Sequence, residues 1–322
     1  MLWYVGRRVG MSVLMLALTS VLIFVVLRVL PGDPVTTLVG QTEGIDASQV
    51  AQMRHSLGLD RPLIVQYGSW VAGLFSGHFG MSYFSQQPVQ TLMGGRIVPT
   101  VELTLAALLI AIVIAVPTAI YAAMHPRGIV DRAATAFASL GMSVPSFLAA
   151  LALIIVFAVK LRWLPTRGYV SIFSDPVQNL KLIVMPAAAL AFTACAPILR
   201  FLRGSLGEAS EAPYIRTAEG KGMLRPTAIR KHATPNALIP TLTIVGMTVG
   251  RLLGGVVIIE YIFSWPGLGT LIVDAVFKRD YAVLQTSILF AAAAFIFTTL
   301  VVDLLYGVLD PRLKASTAES AA

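Results

Sequence analysis

Six long apolar stretches restrict the fold of this chain more than any other feature of its sequence. A helix needs about 20 apolar residues to cross a bilayer, and each of these stretches is long enough. Charged residues make up only 12% of the chain, about half of their usual share in soluble domains. The sequence therefore predicts an all-α polytopic membrane protein with six transmembrane helices: Val9–Leu30, Val101–Met124, Ala134–Val159, Leu182–Phe201, Ala237–Phe263 and Val283–Leu309.

The first stretch has one feature of a secretory signal peptide, because Arg7 and Arg8 precede it. The apolar part of a signal peptide is about 7–15 residues long and is followed by small residues at a cleavage site. The stretch Val9–Leu30 is longer, and no such cleavage site follows it. We therefore expect a retained membrane helix.

Basic residues predict how the chain is oriented. A net charge of +8 would suggest nucleic-acid binding in a soluble domain, but in a membrane protein Lys and Arg accumulate in the cytoplasmic loops. The predicted loops on the side of the N-terminus are the more basic ones. We expect both termini in the cytoplasm, a location in the cytoplasmic membrane, contact with lipid and no nucleic-acid partner. The residues behind this prediction are Arg7, Arg8, Arg127, Arg132, Arg200, Arg203, Arg216, Lys221, Arg225, Arg230, Lys231, Arg312 and Lys314.

A long polar segment, Pro31–Thr100, is predicted on the opposite side of the membrane. Its composition indicates two helices, Ala47–Leu57 and Leu63–Phe75. In the second, apolar side chains recur at helical spacing with few charges, a pattern typical of a helix that lies along a membrane surface. Such a segment either caps the helix bundle or docks an external partner, and the sequence leaves both interpretations open.

A second polar segment, Arg203–Pro240, lies between the fourth and fifth spans. Its Gly220-Lys221 pair is not a Walker A loop, because the earlier glycine is missing and no Ser or Thr follows the lysine. The chain has a single cysteine, Cys195, and four scattered histidines, and it lacks the local motifs of zinc proteases and serine hydrolases. The sequence therefore predicts no enzyme, no metal and no cofactor in this chain.

Few ionisable residues fall inside the predicted spans, whereas an ion-coupled carrier usually holds its driving ion on such groups. Arg251 and Glu260 are consistent either with a wet cavity or with a structural pair. Pro145, close to Ser143, is expected to kink the third span and free backbone groups, which then line a pathway or only assist packing. The candidate pathway residues are Ser143, Pro145, Arg251 and Glu260.

The polar segment Arg203–Pro240 resembles the cytoplasmic loop of ABC importer permeases. In that family an acidic-Ala-Ala triplet precedes a glycine by a fixed spacing; here Arg216 replaces the acidic residue and Gly222 keeps its place. Thr234 and Pro235 depart from the family pattern, and we expect them to disturb the local helix. The matching residues are Tyr214-Ile215-Arg216-Thr217-Ala218, Lys221-Gly222, His232-Ala233 and Asn236-Ala237.

Further motifs resemble the dipeptide, oligopeptide and nickel branch of these permeases, in the same order along the chain. The resemblance runs from Tyr4 to about Arg312. The motifs are Arg7-Arg8, Pro31-Gly32-Asp33-Pro34, Leu57-Gly58-Leu59-Asp60-Arg61-Pro62, Gln66-Tyr67, Trp163-Leu164-Pro165, Trp265-Pro266-Gly267-Leu268-Gly269, Arg279-Asp280-Tyr281, Asp303-Leu304-Leu305-Tyr306 and Leu309-Asp310-Pro311-Arg312.

The resemblance implies the type I importer fold with a long external segment after the first helix. Residues 1–30 would form a cytoplasmic tail and the first helix, and residues 31–100 the external segment. Residues 101–309 would form the core permease domain, with five helices and a coupling loop at 203–240, and residues 310–322 a cytoplasmic tail.

The resemblance also implies peptide import driven by ATP. Partners would be a homologous second permease, two ATP-binding subunits that hold ATP and Mg²⁺, and an extracytoplasmic binding protein. A helix from Glu208 to Ala218, ended by Gly222 and followed by one that begins at Pro226, would contact the ATPase. The coupling residues would be Glu208, Tyr214, Arg216, Thr217, Ala218, Lys221, Gly222, His232 and Asn236.

Three other functions remain open at this point. Peptide is the default substrate for such a machine, and a nickel complex, glutathione or another small solute is the alternative within the same family. An ion-coupled secondary carrier would instead work without ATPase subunits. A scaffold protein is disfavoured, because the spans are rich in Gly, Ser and Pro.

Overall fold

A computed structural model describes residues 2–29, 47–56 and 58–309, and within these ranges the chain is almost entirely helical. Two π-helical turns, Ile154–Lys160 and Ile229–Ala233, extend the helix that begins at Ser146 and lead into the helix that begins at Thr234. The helices are α1 (Leu2–Val29), α2 (Ala47–Ser56), α3 (Leu63–Phe75), α4 (Val89–Met124), α5 (Ile129–Ser143), α6 (Ser146–Leu153), α7 (Pro176–Ser210), α8 (Pro213–Gly220), α9 (Arg225–Ala228), α10 (Thr234–Phe263), α11 (Leu268–Lys278) and α12 (Tyr281–Leu309).

In the part of the chain that the structure describes, five helices are long and apolar enough to cross a membrane, and a sixth crossing is available if a bent helix pair counts as one span. The long helices correspond to α1, α4, α7, α10 with the turns before it, and α12. The predicted fold class is therefore confirmed. The prediction of two helices after the first span is also confirmed, as α2 and α3.

The third predicted span, Ala134–Val159, is not one continuous helix. The axes of α5 and the segment Ser146–Lys160 differ by 108°. The break is at Val144 and Pro145, which have extended backbone conformations. Proline has no N–H for the helix ladder and pushes the preceding residue out of the helical region. The expected kink at Pro145 is therefore a complete break.

Several helices extend beyond the apolar stretches that predicted them. Helix α4 begins at Val89 and runs through Thr100 and Val101, and α7 begins at Pro176 and ends at Ser210. Apolar length reports only the part of a helix that favours the bilayer, whereas polar flanking residues continue the same hydrogen-bond ladder. Of the predicted features, Pro31–Pro34, Leu57 and the tail 310–322 lie outside the described residues.

The chain packs as two compact units. The larger unit contains Val101–Trp265 together with the described residues before Met11 and after Ile296. At its centre α7 packs against α5, α6 and α10. Helix α4 contributes a fully buried row at four-residue intervals: Leu103, Ala107, Ala111, Ala115 and Ala119. Small side chains of this kind let membrane helices approach closely.

Polar contacts join distant parts of the larger unit. The Glu102 carboxylate accepts hydrogen bonds from Asn179 Nδ2 at 2.5 Å and from the Tyr169 hydroxyl at 3.2 Å. Near the chain ends, Arg8 Nη1 pairs with Asp303 Oδ2 at 2.5 Å. Two of the sequence motifs, Arg7-Arg8 and the one that begins at Asp303, therefore meet in the fold.

The smaller unit contains the described residues from Met11 to Thr100, together with Pro266–Ile296. Its core includes Ile23, Leu27, Met93 and Leu268. A second group of contacts is polar: the buried Asp280 carboxylate accepts hydrogen bonds from the Ser82 hydroxyl and from backbone N–H groups that follow it. This carboxylate therefore ties the segment before α4 to the corner between α11 and α12.

Candidate functional site

A short helix, α8, stands in the polar segment between the long helices α7 and α10. Pro213 occupies its first turn, where the missing N–H costs nothing. Ile215 is fully buried and belongs to the core of the larger unit, whereas Tyr214 is 41% exposed. Arg216 and Thr217 are also exposed. A buried apolar residue thus anchors α8 and leaves an exposed face of mixed character.

The C-terminal end of α8 is a Schellman motif. Gly222 has φ of +88°, in the left-handed region that favours glycine. Its N–H bonds to the Glu219 carbonyl at 2.8 Å, and the Met223 N–H bonds to the Ala218 carbonyl at 3.1 Å. Pro226 then lies in the first turn of α9. The predicted helix end at Gly222 and the predicted start at Pro226 are confirmed.

Glu208 does not belong to the same helix as Tyr214, contrary to the prediction of one helix from Glu208 to Ala218. It lies in the last turns of α7, which ends at Ser210. The break falls at Ala212, whose extended backbone is the conformation that a following proline imposes. The predicted boundary was too early, because α7 continues past the end of the apolar stretch and ends only at Ser210, shortly before Pro213.

His232 and Asn236 lie beyond α9, where the chain enters α10. The Asn236 side chain donates to the His232 carbonyl at 3.0 Å. The expected disturbance at Thr234 and Pro235 is present as the π-helical turn Ile229–Ala233, and the helix continues through it. A wider turn accommodates a proline that has no N–H to donate, and π-helical turns often occur near functional sites.

Two clefts adjoin α7 and α10 within the larger unit. The first has a volume of about 550 Å³, and Arg200, Glu208 and Arg251 supply its charged lining. The second has a volume of about 470 Å³ and is lined by the broken segment between α5 and α6, including Ser143 and Pro145. The clefts share the residues Met142, Pro197, Thr248 and Arg251.

The structure thus brings together three of the four candidate pathway residues, Ser143, Pro145 and Arg251. Glu260 lines neither cleft; its side chain is fully buried. A fully buried residue has no surface for a passing solute. Glu260 was predicted together with Arg251 because both are ionisable residues of one predicted span. The two residues lie at different points along α10, and only Arg251 reaches the clefts.

Arg251 gives the clefts their electrostatic character. It lies inside the long apolar helix α10, its side chain is exposed, and no ion pair involves it among the residues that the structure describes. Arg200 contributes a second cation and contacts the Met142 sulfur at 3.6 Å. With Glu208 as the acidic member, the charged lining favours an anionic group.

Prolines also supply polar backbone to the clefts. Pro197 lies inside α7 and lacks the N–H that would otherwise bond to the Thr193 carbonyl. Both residues line the second cleft. In a membrane span, irregular backbone of this kind is tolerated where it lines a cavity. The clefts therefore combine the cations of Arg200 and Arg251 with a backbone acceptor, the Thr193 carbonyl, and this lining suits a polar solute.

Three polar groups that organise the two units were not predicted as such. Asn179 partners Glu102, and Asp131 pairs with Arg203 at the start of α5. The third is Asp280, which also accepts from the Val283 N–H at the start of α12. Of these, the position of Asp280 just before an apolar helix is a recognisable capping signal; the other pairings depend on distant parts of the chain.

Comparison with known families identifies two matching models. Residues 115–315 match the inner membrane component of binding-protein-dependent transport systems, and residues 1–104 match the N-terminal part of the membrane component of such systems. The two matches together extend over nearly the whole chain.

Individual relatives match over their whole length. A probable peptide ABC transporter permease protein of Sinorhizobium fredii is 36% identical over 311 residues, which cover 97% of this chain and 99% of the relative. A putative peptide permease protein of Brucella suis is 38% identical over 320 residues, 98% of this chain and 100% of the relative. A glutathione transport system permease protein of Escherichia coli is 37% identical over 314 residues, 98% and 99% of the two chains.

Proposed function

The chain belongs to the family of inner-membrane components of binding-protein-dependent transport systems, and we propose that it carries peptides through the membrane as one half of an ATP-driven permease. Membership of this family and the apolar helices make the chain a multi-pass membrane protein and an ABC importer permease of the peptide, oligopeptide and nickel type. The peptide substrate, the coupling to ATPases and the orientation belong to the proposal.

Coupling to the ATPase subunits is assigned to the exposed face of α8. The observation that carries this proposal is the construction of α8: a short helix outside the long spans, anchored by the buried Ile215 and closed by the Gly222 cap. A helix held in this way transmits a push as a rigid body. Tyr214, Arg216, Thr217 and Lys221 are exposed for contact, and Leu224 adds an apolar surface that is 76% exposed.

Two of the proposed coupling residues have different roles. Ala218 is half-buried and packs against the core, so it supports α8 rather than meeting a partner. Glu208 lines the first cleft together with Arg251. Its place is therefore with the pathway, at the end of α7 next to the coupling helix.

The pathway is assigned to the two clefts. Their shared Arg251, the break at Pro145 and the Thr193 carbonyl supply polar contacts along helices that are otherwise apolar. A peptide has a terminal carboxylate and many backbone N–H groups, which match cations and carbonyl acceptors respectively. The names of the peptide permease relatives support the same substrate class.

The remaining partners follow from the family. A homologous second permease would complete the pathway, two ATP-binding subunits would bind ATP and Mg²⁺, and an extracytoplasmic binding protein would deliver the solute. This chain would bind no nucleotide itself. The proposal places α8 and both termini in the cytoplasm, in agreement with the basic residues in that segment.

Glutathione is the second candidate within the same machine, because one relative is named as a glutathione transport permease. Glutathione is itself a small peptide with free carboxylates, so the cationic clefts suit it equally. An ion-coupled carrier is the alternative from another class. Uptake driven by an ion gradient in vesicles that contain this chain without ATPase subunits would establish that alternative.

The test uses the complete transporter in vesicles, with ATP on the side of the ATPases and a labelled peptide delivered by the binding protein. The double substitution Tyr214→Ala and Arg216→Glu removes an aromatic side chain and reverses a charge on α8. We expect normal insertion of the chain, at least about a tenfold loss of ATPase co-purification, and a matching loss of uptake, since interface residues of these types often contribute more than 1 kcal/mol each.

Arg167→Glu is the matched control, because Arg167 is also exposed in the larger unit but lies before α7, close in sequence to the Tyr169 that contacts Glu102. Its ATPase association should equal that of the unaltered chain. Equal association for the α8 variant and the control would remove the coupling role from α8. Uptake of peptide that is independent of ATP would contradict the proposed function as a whole.

A further inference from the structure

The smaller unit contains a cavity of its own, formed by other helices and segments than those that line the two clefts. Its volume is about 370 Å³, and it is lined by the end of α1, by α3, by the segment before α4 and by the start of α12. The polar lining that matters here consists of Arg28, Arg61, Gln66, Trp70 and His78. Neither the motifs nor the proposed transport function assigns a role to this cavity.

Among the residues that the structure describes, two buried N–H groups in the cavity lining have no hydrogen-bond partner: Nη1 of Arg28 and Nε1 of Trp70. Buried donors of this kind are rare in folded proteins, and each one calls for a ligand, an ion or a water. The orientation of the Arg28 side chain is set by its other contacts. Its Nε donates to Gln66 Oε1 at 3.1 Å, and its guanidinium carbon lies 4.9 Å from the centre of the Phe24 ring.

The charge of the cavity selects the ligand. Arg28 and Arg61 contribute two cations, and no Asp or Glu is present among the described residues that line the cavity. The closest carboxylate in the sequence, Asp60, is occupied by His55 Nδ1 at 2.6 Å. Asp280, close to Tyr83 of the lining, is occupied by Ser82 and backbone N–H groups. An anion with several acceptor oxygens fits these donors, and phosphate pairs with a guanidinium through two parallel hydrogen bonds.

The position of the cavity along α1 identifies the source of the anion. Arg28 lies in the last turn of the membrane-spanning helix, next to Val25, Val26 and Val29, which are exposed. Trp is enriched at the headgroup level of a bilayer, and Arg side chains near the end of a membrane helix extend to the same level. Helix α3, which carries Trp70, also exposes Leu63 and Ile64, as expected for a helix that lies along a membrane surface.

We propose that this cavity binds the phosphate of an anionic phospholipid from the leaflet at this end of α1. Arg28 Nη1 and Trp70 Nε1 donate to the phosphate oxygens, and Arg61 contributes charge at the same place. The acyl chains lie along the exposed valines of α1. The bound lipid thereby satisfies two donors that the protein leaves open and holds α3 against the end of α1.

The experiment uses the assembled transporter, purified in a neutral detergent, and native mass spectrometry with three probes: phosphatidylglycerol, phosphatidylcholine and inorganic phosphate. We expect phosphatidylglycerol to be retained at least about tenfold more strongly than phosphatidylcholine. Arg28→Gln should abolish this preference. Trp70→Phe, which keeps an aromatic ring and removes only the N–H, should weaken it by several fold and so covers the case in which Arg28→Gln folds poorly.

Arg54→Gln is the matched control, since Arg54 is exposed on α2 and does not line the cavity. It should retain phosphatidylglycerol like the unaltered protein. If inorganic phosphate displaces the lipid at millimolar concentration and binds with the same dependence on Arg28 and Trp70, the anion site stands and its occupant is free phosphate. Equal lipid retention by Trp70→Phe, Arg28→Gln and the unaltered protein would overturn the proposal.

Discussion

Replacing Gly222 and Gly220 by alanine, one at a time, separates backbone conformation from side-chain bulk at the end of α8. A Cβ atom at either position would meet no other heavy atom within 4 Å. The two glycines differ in backbone conformation: Gly222 has φ of +88°, whereas Gly220 is the last residue of the helix. The same methyl group is therefore added in the same open space with opposite consequences for the chain.

The expected magnitudes follow from the two conformations. An L-residue in the left-handed region costs about 1–2 kcal/mol, so Gly222→Ala should weaken the cap by that amount. In a helical conformation alanine is favoured over glycine by up to about 1 kcal/mol, so Gly220→Ala should leave the helix end unchanged or strengthen it. Since about 1.4 kcal/mol is a factor of ten in an equilibrium constant, Gly222→Ala should increase local opening roughly 5- to 30-fold.

Hydrogen exchange of the chain in lipid nanodiscs measures this opening. The amide of Met223 is the most direct probe, because it bonds to the Ala218 carbonyl only when the cap is formed. Its protection should fall in Gly222→Ala and persist in Gly220→Ala. In the complete transporter, only Gly222→Ala should reduce ATPase association.

Equal protection of the Met223 amide in both variants would refute the reasoning, because the cap would then not depend on the left-handed backbone at Gly222. An equal loss in both variants would assign the effect to the added methyl group. A loss of protection in Gly222→Ala with unchanged ATPase association would show that the cap depends on Gly222 but is not needed for coupling.

Two further predictions concern single side chains. Arg251→Gln should slow vesicle uptake of a peptide with a free terminal carboxylate by about tenfold relative to its C-terminally amidated form. The reason is that a charge-assisted hydrogen bond contributes about 1.5–3 kcal/mol. An equal effect on the uptake of both peptides would show that Arg251 is structural. Asp280→Ala removes the acceptor of the buried Ser82 hydroxyl and of the half-buried N–H groups of Tyr83 and Phe84 and should cost roughly 2–5 kcal/mol of stability. Asp175 is an exposed helix cap that accepts a hydrogen bond from the Gln178 N–H at 2.9 Å. Asp175→Ala should therefore lower stability by only about 1 kcal/mol. Equal unfolding midpoints for the two variants would contradict the assigned role of Asp280.

Local features of the candidate site were predictable because they depend on neighbouring residues. The end of α8 at Gly222, the start of α9 at Pro226 and the interruption at Pro145 each follow from the backbone restrictions of glycine and proline. The extent of the interruption was not predictable. A proline within a span is compatible with a kink or with a full break, and packing around α5 and α6 decides between them.

The end of α7 shows where prediction from composition fails. Glu208 was expected on the coupling helix, yet α7 continues to Ser210 and carries Glu208 into the first cleft. A change from apolar to polar residues does not by itself mark the end of a helix. The boundary depends on Pro213, which acts on the residue before it.

The sequence by itself determined the membrane class, the approximate spans and the helix boundaries at Gly222 and Pro226, because apolar length and the backbone limits of glycine and proline act locally. Only the tertiary structure decided which ionisable groups are paired and which face open space. Arg8 meets Asp303 across 295 positions of sequence, and Arg251 faces the clefts while Glu260 on the same helix is buried. Charge pairing depends on proximity in space, and periodicity along one helix cannot show which neighbour covers each face.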